Sequence, residues 1–197
     1  MIEEGRKVSV YTTMSRILTH LNSGQEQRSL AGNLAAIRNS IGKGYEDATE
    51  VWPILFPLMP QEYLGNGPLN YEEKALISVL QLYALGQQGS SKVLNDDSRS
   101  MGSSLRKIRD NQSVSLDRRF NTMLTAISFD EFTYHLRQLY KLGKSRHSFS
   151  VNYPVLAEDL YWYQNGKNKK ICLKWARDYY QPFQKNENEQ PISTIAE

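Results

Sequence analysis

Disulfide chemistry is the first thing this sequence excludes. Cys172 is the only cysteine among 197 residues, so no intramolecular bridge can form and an oxidising, secreted setting is not suggested. Set between Ile171 and Leu173, it reads as a buried structural thiol. Long apolar runs are also missing: the longest, residues 51–59, is interrupted by Pro53 and Pro57 and falls far short of the ~20 residues a membrane span needs. The start, Met1-Ile2-Glu3-Glu4-Gly5, carries neither the basic nor the apolar segment of a secretory leader, which makes the cytoplasm the expected location. His20, His135 and His147 are scattered, with no HExxH and no Cys/His clustering, so no metal is expected. Gly65-Asn66-Gly67 and residues 86–89 contain no P-loop lysine and follow no strand, so they read as turns. The neighbouring carboxylates Glu72-Glu73 and Glu158-Asp159 would sit about a quarter-turn apart on a helix and would not face each other. These absences leave no catalytic constellation, and the expectation is a protein that is not an enzyme and holds no cofactor.

What the sequence does contain is helical periodicity. Hydrophobic residues make up 40% and charged residues 23%, the balance of an ordinary globular chain. Apolar positions recur at three- and four-residue spacing, with no alternating runs bounded by hairpin turns to compete. The spacing predicts an all-α protein of eight or nine helices, arranged as two small bundles of about four to five each. The first bundle covers residues 1–95. It holds helices near 7–21 and 25–41, an irregular proline-broken corner around Trp52, Leu55 and Phe56, and a helix capped by Asn70 and Glu73 with Leu76, Val79, Leu80 and Tyr83 inward.

Residues 87–102 are rich in Gly, Ser, Asn and Asp and read as the connection. The second bundle, 96–185, begins with a short helix at 103–109. A helix capped by Ser115 follows, with Leu116, Phe120, Met123 and Ile127 as its stripe. Ser128-Phe129-Asp130-Glu131 reads as a capping box for a helix carrying Phe132, Leu136 and Leu139 and ending at Gly143. Two more helices start at Pro154 and Asn168, the last buried through Ile171, Trp175 and Tyr179. Residues 186–197 read as a disordered acidic tail.

Charge is unevenly spread. Residues 1–96 hold 8 Lys+Arg and 10 Asp+Glu, whereas residues 97–185 hold 16 and 8. A field of one sign on half a molecule steers and holds polyanions even when the whole chain is close to neutral. Arg137, Lys141 and Lys144 follow helical spacing away from the Phe132 stripe, and Lys170, Lys174 and Arg177 do the same beside Trp175, so two outward basic stripes are expected. Arg106, Lys107 and Arg109 form a short cluster, Arg118 lies opposite Phe120 with Arg119 flanking it, and Arg146 adds one further cation. Tyr161, Trp162 and Tyr163 could stack on bases, although helical aromatics more often serve the core. Nucleic acid is the partner this pattern favours. A protein-only scaffold whose basic faces bind acidic partner proteins is the alternative.

An ordered set of segments then resembles a known family: Ser100-Met101-Gly102-Ser103-Ser104-Leu105, Asp117-Arg118-Arg119-Phe120, Met123-Leu124, Leu136-Arg137-Gln138-Leu139, Val151-Asn152-Tyr153-Pro154-Val155-Leu156 and Asp159-Leu160-Tyr161-Trp162, with a lysine-rich turn before Trp175. Over residues 95–183 the chain resembles CasB, the small subunit of the type I-E CRISPR Cascade surveillance complex. The N-terminal half matches by length and helical layout. The resemblance implies a cytoplasmic, non-catalytic helical subunit, present beside a second copy of itself and other Cascade protein subunits. Its implied nucleic-acid partners are the CRISPR guide RNA and the target and non-target DNA strands, whose R-loop it would stabilise. It also implies binding roles for Arg118 and Arg119 as the family's arginine pair, for Arg137 in its Leu-Arg run, for Lys167, Lys169 and Lys170 in its basic inter-helix turn, and for Arg99 in its connecting loop. Gln138 departs from relatives that carry a second arginine there, which puts one phosphate contact in doubt.

Overall fold

A computed structural model describes residues 8–23, 27–89, 100–110, 113–146 and 149–182, the side chains of 27–29 excepted. Nine α-helices run through these residues, with short 3-10 turns between the third and fourth and no β-strand among them. The all-α expectation holds. The expected tail, 186–197, and Arg99 lie outside the described residues.

Helix α1 (Val10–Asn22) opens where the Ser9 side chain accepts from the Thr12 N–H, and buries Val10, Met14, Ile17, Leu18 and Leu21 on one stripe. Helix α2 (Gln27–Asn39) leads to a turn that Gly42 makes at φ 91°. The proline-bearing corner forms as expected. Helix α3 (Trp52–Leu55) is a single turn, followed by 3-10 turns, with Leu55 buried and Trp52 stacked on Phe56 at 6.0 Å. Helix α4 (Tyr71–Gln87) starts with a complete capping box between Asn70 and Glu73. Its predicted inward stripe is too narrow: Ala75, Ile77, Ser78, Gln81, Leu82 and Ala84 are buried as well. A helix buried nearly all round is the centre of a fold rather than a surface element.

The second half begins with α5 (Met101–Arg106), capped by Ser100 and so starting two residues before the expected position. Its Gly102 lies so close to α9 that a Cβ would run into the Trp175 carbonyl, which is why glycine stands there. Helix α6 (Val114–Leu124) has Ser113, not Ser115, at its N-cap position. It ends three residues short of Ile127, which is 96% exposed instead of buried. Helix α7 (Phe129–Lys144) opens with Ser128 accepting from Glu131 N–H, while the Glu131 carboxylate reaches back to the N–H of Ile127. Helix α7 ends at Lys144, one residue past Gly143, and Phe149 packs where a side chain on Gly143 would go. Helix α8 (Tyr153–Trp162) follows an Asn152 cap, and a kink at Gly166 (φ 71°) separates it from α9 (Asn168–Tyr179).

The core is continuous along the chain. Helix α8 carries α1 and α4 on its surface, α4 also meets α2 and α7, α6 packs on α7, and α5 lies across α9. Buried polar groups join these layers. Gln81 donates to Ser40 Oγ at 3.0 Å, Tyr83 donates to Asn22 at 2.8 Å, and the Tyr140 and Tyr153 hydroxyls share a 2.7 Å hydrogen bond in full burial. Among the described residues no helix is long and apolar enough to cross a membrane.

Candidate nucleic-acid interface

The basic residues of the second half divide by what their side chains touch. Arg118 and Arg119 on α6, Lys141 near the end of α7, Arg146 just beyond it, and Lys169 and Lys170 at the start of α9 are exposed, with no side-chain hydrogen bond or ion pair to the described chain. Three mutually packed helices therefore carry them. Phe120 of α6 stacks on Tyr179 of α9 at 4.1 Å, and Phe132 of α7 lies 5.5 Å from Trp175 of α9. Arg177, on the same helix as Lys170, is exposed too.

A second group is exposed or half-exposed but anchored. Lys107 donates to Ser150 Oγ at 3.0 Å, and Arg106 donates to Gln181 and to the Pro182 carbonyl. Lys167 sits over the Trp162 ring, 3.3 Å from its centroid. This contact favours the ammonium by the ring's negative face and holds the kinked turn between α8 and α9. The first turn of α9 contains no acidic residue. Lysines at a helix start oppose the helix dipole, so the turn is electrostatically incomplete and suited to an anion.

The remaining predicted cations are turned toward other parts of the chain, and the two outward stripes need correction. Of the three cations along α7 only Lys141 is exposed. Arg137 turns inward and reaches Gln81 Oε1 at 3.4 Å, and burial pushes its pKa below the usual guanidinium value. Lys144 donates to the carbonyls of Leu85 (2.5 Å) and Gln88 (2.6 Å), and Arg38 donates to that of Ala84 at 3.2 Å. Together they place two positive groups on carbonyls at the end of α4, where the Leu85 carbonyl also accepts from the Gln88 N–H. Desolvation, with Arg38 nearby, lowers the Lys144 pKa. On α9 the stripe breaks at Lys174, which pairs with the buried carboxylate of Asp159 at 2.8 Å. Asp159 also accepts from Trp175 Nε1 at 2.7 Å; burial raises its pKa, and these two donors act against the rise. Arg109 pairs with Asp117 at 3.0 Å and lies 5.4 Å from the rings of Tyr179 and Tyr180. The Arg109 hydrogen bond holds the Asp117 carboxyl below its ordinary value.

Sequence reasoning missed the basic residues of the first half. Lys74 on α4 makes no ion pair among the described residues and stands 5.9 Å from the Tyr45 ring. It lines a cavity of about 540 Å³ together with Arg137. The halves were weighed by net charge, and a single lysine in an acidic half gave no signal. Of the three aromatics that could have stacked on bases, Tyr163 is buried against Phe132 at 4.1 Å, and Tyr161 and Trp162 are partly exposed. Cys172 is half-buried, its Sγ 3.7 Å from the Leu124 carbonyl, and burial pushes its thiol pKa up. Among the described residues no three His, Cys, Asp or Glu side chains gather as metal ligands.

The fold is shared with solved structures. CasB from Thermobifida fusca superposes with a TM-score of 0.65 at 18% identity, over 87% of this chain and 96% of that one. A CRISPR-associated protein of the Cse2 family from Thermus thermophilus gives 0.66 at 24% identity, over 85% and 97%. CasB from M. ruber gives 0.64 at 24%, over 88% and 94%. A comparison with curated proteins returned no match. The description of the CRISPR-associated protein Cse2 family matches residues 33–180, three quarters of the sequence, and the chain belongs to that family.

Proposed function

We propose that this protein is a non-enzymatic small subunit of a CRISPR Cascade surveillance complex. It binds nucleic-acid backbone without sequence preference, and so stabilises the guide RNA–target heteroduplex and the displaced non-target strand. The observation that carries this reading is the set of exposed, unpaired cations Arg118, Arg119, Lys141, Lys169 and Lys170 on three packed helices, with Arg146 just beyond one of them. Cations left in water and free of carboxylates are the groups that exchange counterions for phosphates. Family membership supplies the setting. In guide-directed recognition base pairing reads the sequence, and a protein subunit needs to supply only shape and charge. Exchange of a DNA duplex for a heteroduplex is nearly balanced, so a few backbone contacts tip it.

The partners in this reading are the other Cascade subunits, a second copy of this chain, the guide RNA and both DNA strands, in the cytoplasm. Lys144, Lys174 and Arg109 serve the fold first, and the exposed set makes the primary contacts. The test uses the assembled complex carrying Arg118→Glu and Arg119→Glu. R-loop formation should weaken at moderate salt while assembly stays intact. Assembly that fails while the free variant remains folded would instead favour the scaffold whose basic faces meet acidic proteins.

A further inference from the structure

Between the 42–46 turn, α4 and α7 lies a cavity of about 540 Å³, lined in part by Lys74, Gln81, Asp130, Thr133, Tyr134 and Arg137. That volume falls within the roughly 300–1,000 Å³ of small-molecule sites. Its floor is fixed: the Tyr45 hydroxyl lies 2.8 Å from Ser78 Oγ and 3.3 Å from Thr133 Oγ1, and the Tyr45 ring stacks on Phe129 at 5.9 Å. Arg137 enters this cavity with a single long hydrogen bond, to Gln81 at 3.4 Å, although a guanidinium offers five donors. No carboxylate of the described chain lies within ion-pairing distance of Arg137 or Lys74. Partly desolvated cations are ordinarily paired, and these two positive groups line one cavity with no carboxylate of the described chain in contact, which leaves them able to take an anion from outside. Beside them Tyr134 stands 53% exposed, with the His135 ring 5.3 Å away in a T-shaped contact.

We propose that this cavity takes one unstacked nucleotide of a single strand, its phosphate on Arg137 and Lys74 and its base against Tyr134. The guanidinium fork fits two phosphate oxygens at once, and aromatic stacking accepts any base because every base has a π-face. Asp130 and Glu46 also line the cavity. As acceptors they suit the amino and hydroxyl donors of a nucleotide and disfavour a bare anion, which sets the phosphate on the Arg137 side. The proposal rests on the backbone-binding reading and deepens it, adding a discrete subsite reached from the strand that the exposed cations hold.

The probes are thymidine 5′-monophosphate, inorganic phosphate and a single-stranded oligonucleotide, each titrated into the full chain and followed by amide shifts. Thymidine monophosphate should shift Gln81, Thr133 and Tyr134 and bind more tightly than inorganic phosphate. Arg137→Gln should weaken it about tenfold or more, the scale of a lost charge-assisted contact. Lys74→Gln, at a site whose side chain holds no structural hydrogen bond, should weaken it as well and covers the case in which Arg137→Gln does not fold. Tyr134→Ala should weaken thymidine monophosphate about fivefold or more and leave inorganic phosphate unchanged. Absence of shifts in the cavity, equal affinity for phosphate and nucleotide, or indifference to Lys74→Gln and Tyr134→Ala would overturn the proposal. Any of these with oligonucleotide binding retained leaves the backbone-binding reading standing, whereas loss of oligonucleotide binding in the unaltered chain removes that reading too.

Discussion

At the scale of the residue, a cation's role is decided by what its charged end meets. Lys141 and Lys144 are three positions apart on α7, yet Lys141 ends in solvent and Lys144 on the carbonyls of Leu85 and Gln88. Lys144→Met should therefore destabilise the fold by about 1 kcal/mol, the usual scale for a positive group at a helix C-terminus, and leave the salt dependence of strand binding nearly unchanged. Lys141→Met should do the reverse. Thermal unfolding and binding titrations on both variants read the two effects separately. Sequence spacing placed the two lysines on one outward stripe, because the carbonyls that receive Lys144 lie 59 and 56 positions away along the chain and no local pattern encodes them. The same holds for Lys174, whose partner Asp159 is 15 residues off.

Two carboxylates of the second half respond to acid in opposite directions. Asp117 is held below its ordinary pKa by Arg109, so its contribution is present above the unfolded-state value near 4 and is lost as pH falls through the lower folded-state value. Asp117→Asn should cost on the order of 1 kcal/mol at neutral pH and flatten the decline below pH ~4. Asp159 is raised by burial. Its ionised form is disfavoured in the folded state, and protonation relieves that cost as pH falls through its folded value. Replacing it with alanine strands the Trp175 N–H in full burial and should cost about 1–3 kcal/mol. Denaturant unfolding across pH 3–7 checks both signs.

At the scale of the element, stripes and caps that close within one helix turn were legible in the sequence. Asn70 with Glu73, and Ile171, Trp175 and Tyr179, stand as local spacing required, while the expected box at Ser128 forms in part, its Glu131 carboxylate meeting the Ile127 N–H in place of that of Ser128. Features set by a second element were not. Ile127 continues the spacing of Phe120 and Met123, but α6 has already ended at Leu124. Gly143 lies one residue before the end of α7, and it is glycine because Phe149 fills the space its side chain would take. Gly102 is the sharpest of these cases. Gly102→Ala should separate α5 from α9 and cost about 3 kcal/mol, at the upper end of overpacking effects, seen as a fall in the unfolding midpoint. A variant as stable as the parent would show that the two helices slide freely.

At the scale of the whole molecule, α8 of the second half supplies the surface on which α1 and α4 pack, and α4 is buried almost all round. We expect one cooperative unfolding transition, with helical and tyrosine signals lost together. Two separated transitions would instead mark residues 1–95 and 96–185 as independent bundles. The charge imbalance between those halves was legible from composition. Which cations remain for a partner was not, because that depends on the folded contacts.

The central claim is that the exposed cations of α6, α7 and α9 bind phosphate backbone. It is tested most directly by the salt dependence of single-strand binding by the full chain, with and without Arg118→Gln, Arg119→Gln, Lys169→Gln and Lys170→Gln together. With each contact contributing about 0.7 to the slope of log K against log salt, the fourfold variant should bind more weakly and lose a slope of about 3. An unchanged slope in a folded variant would contradict the account.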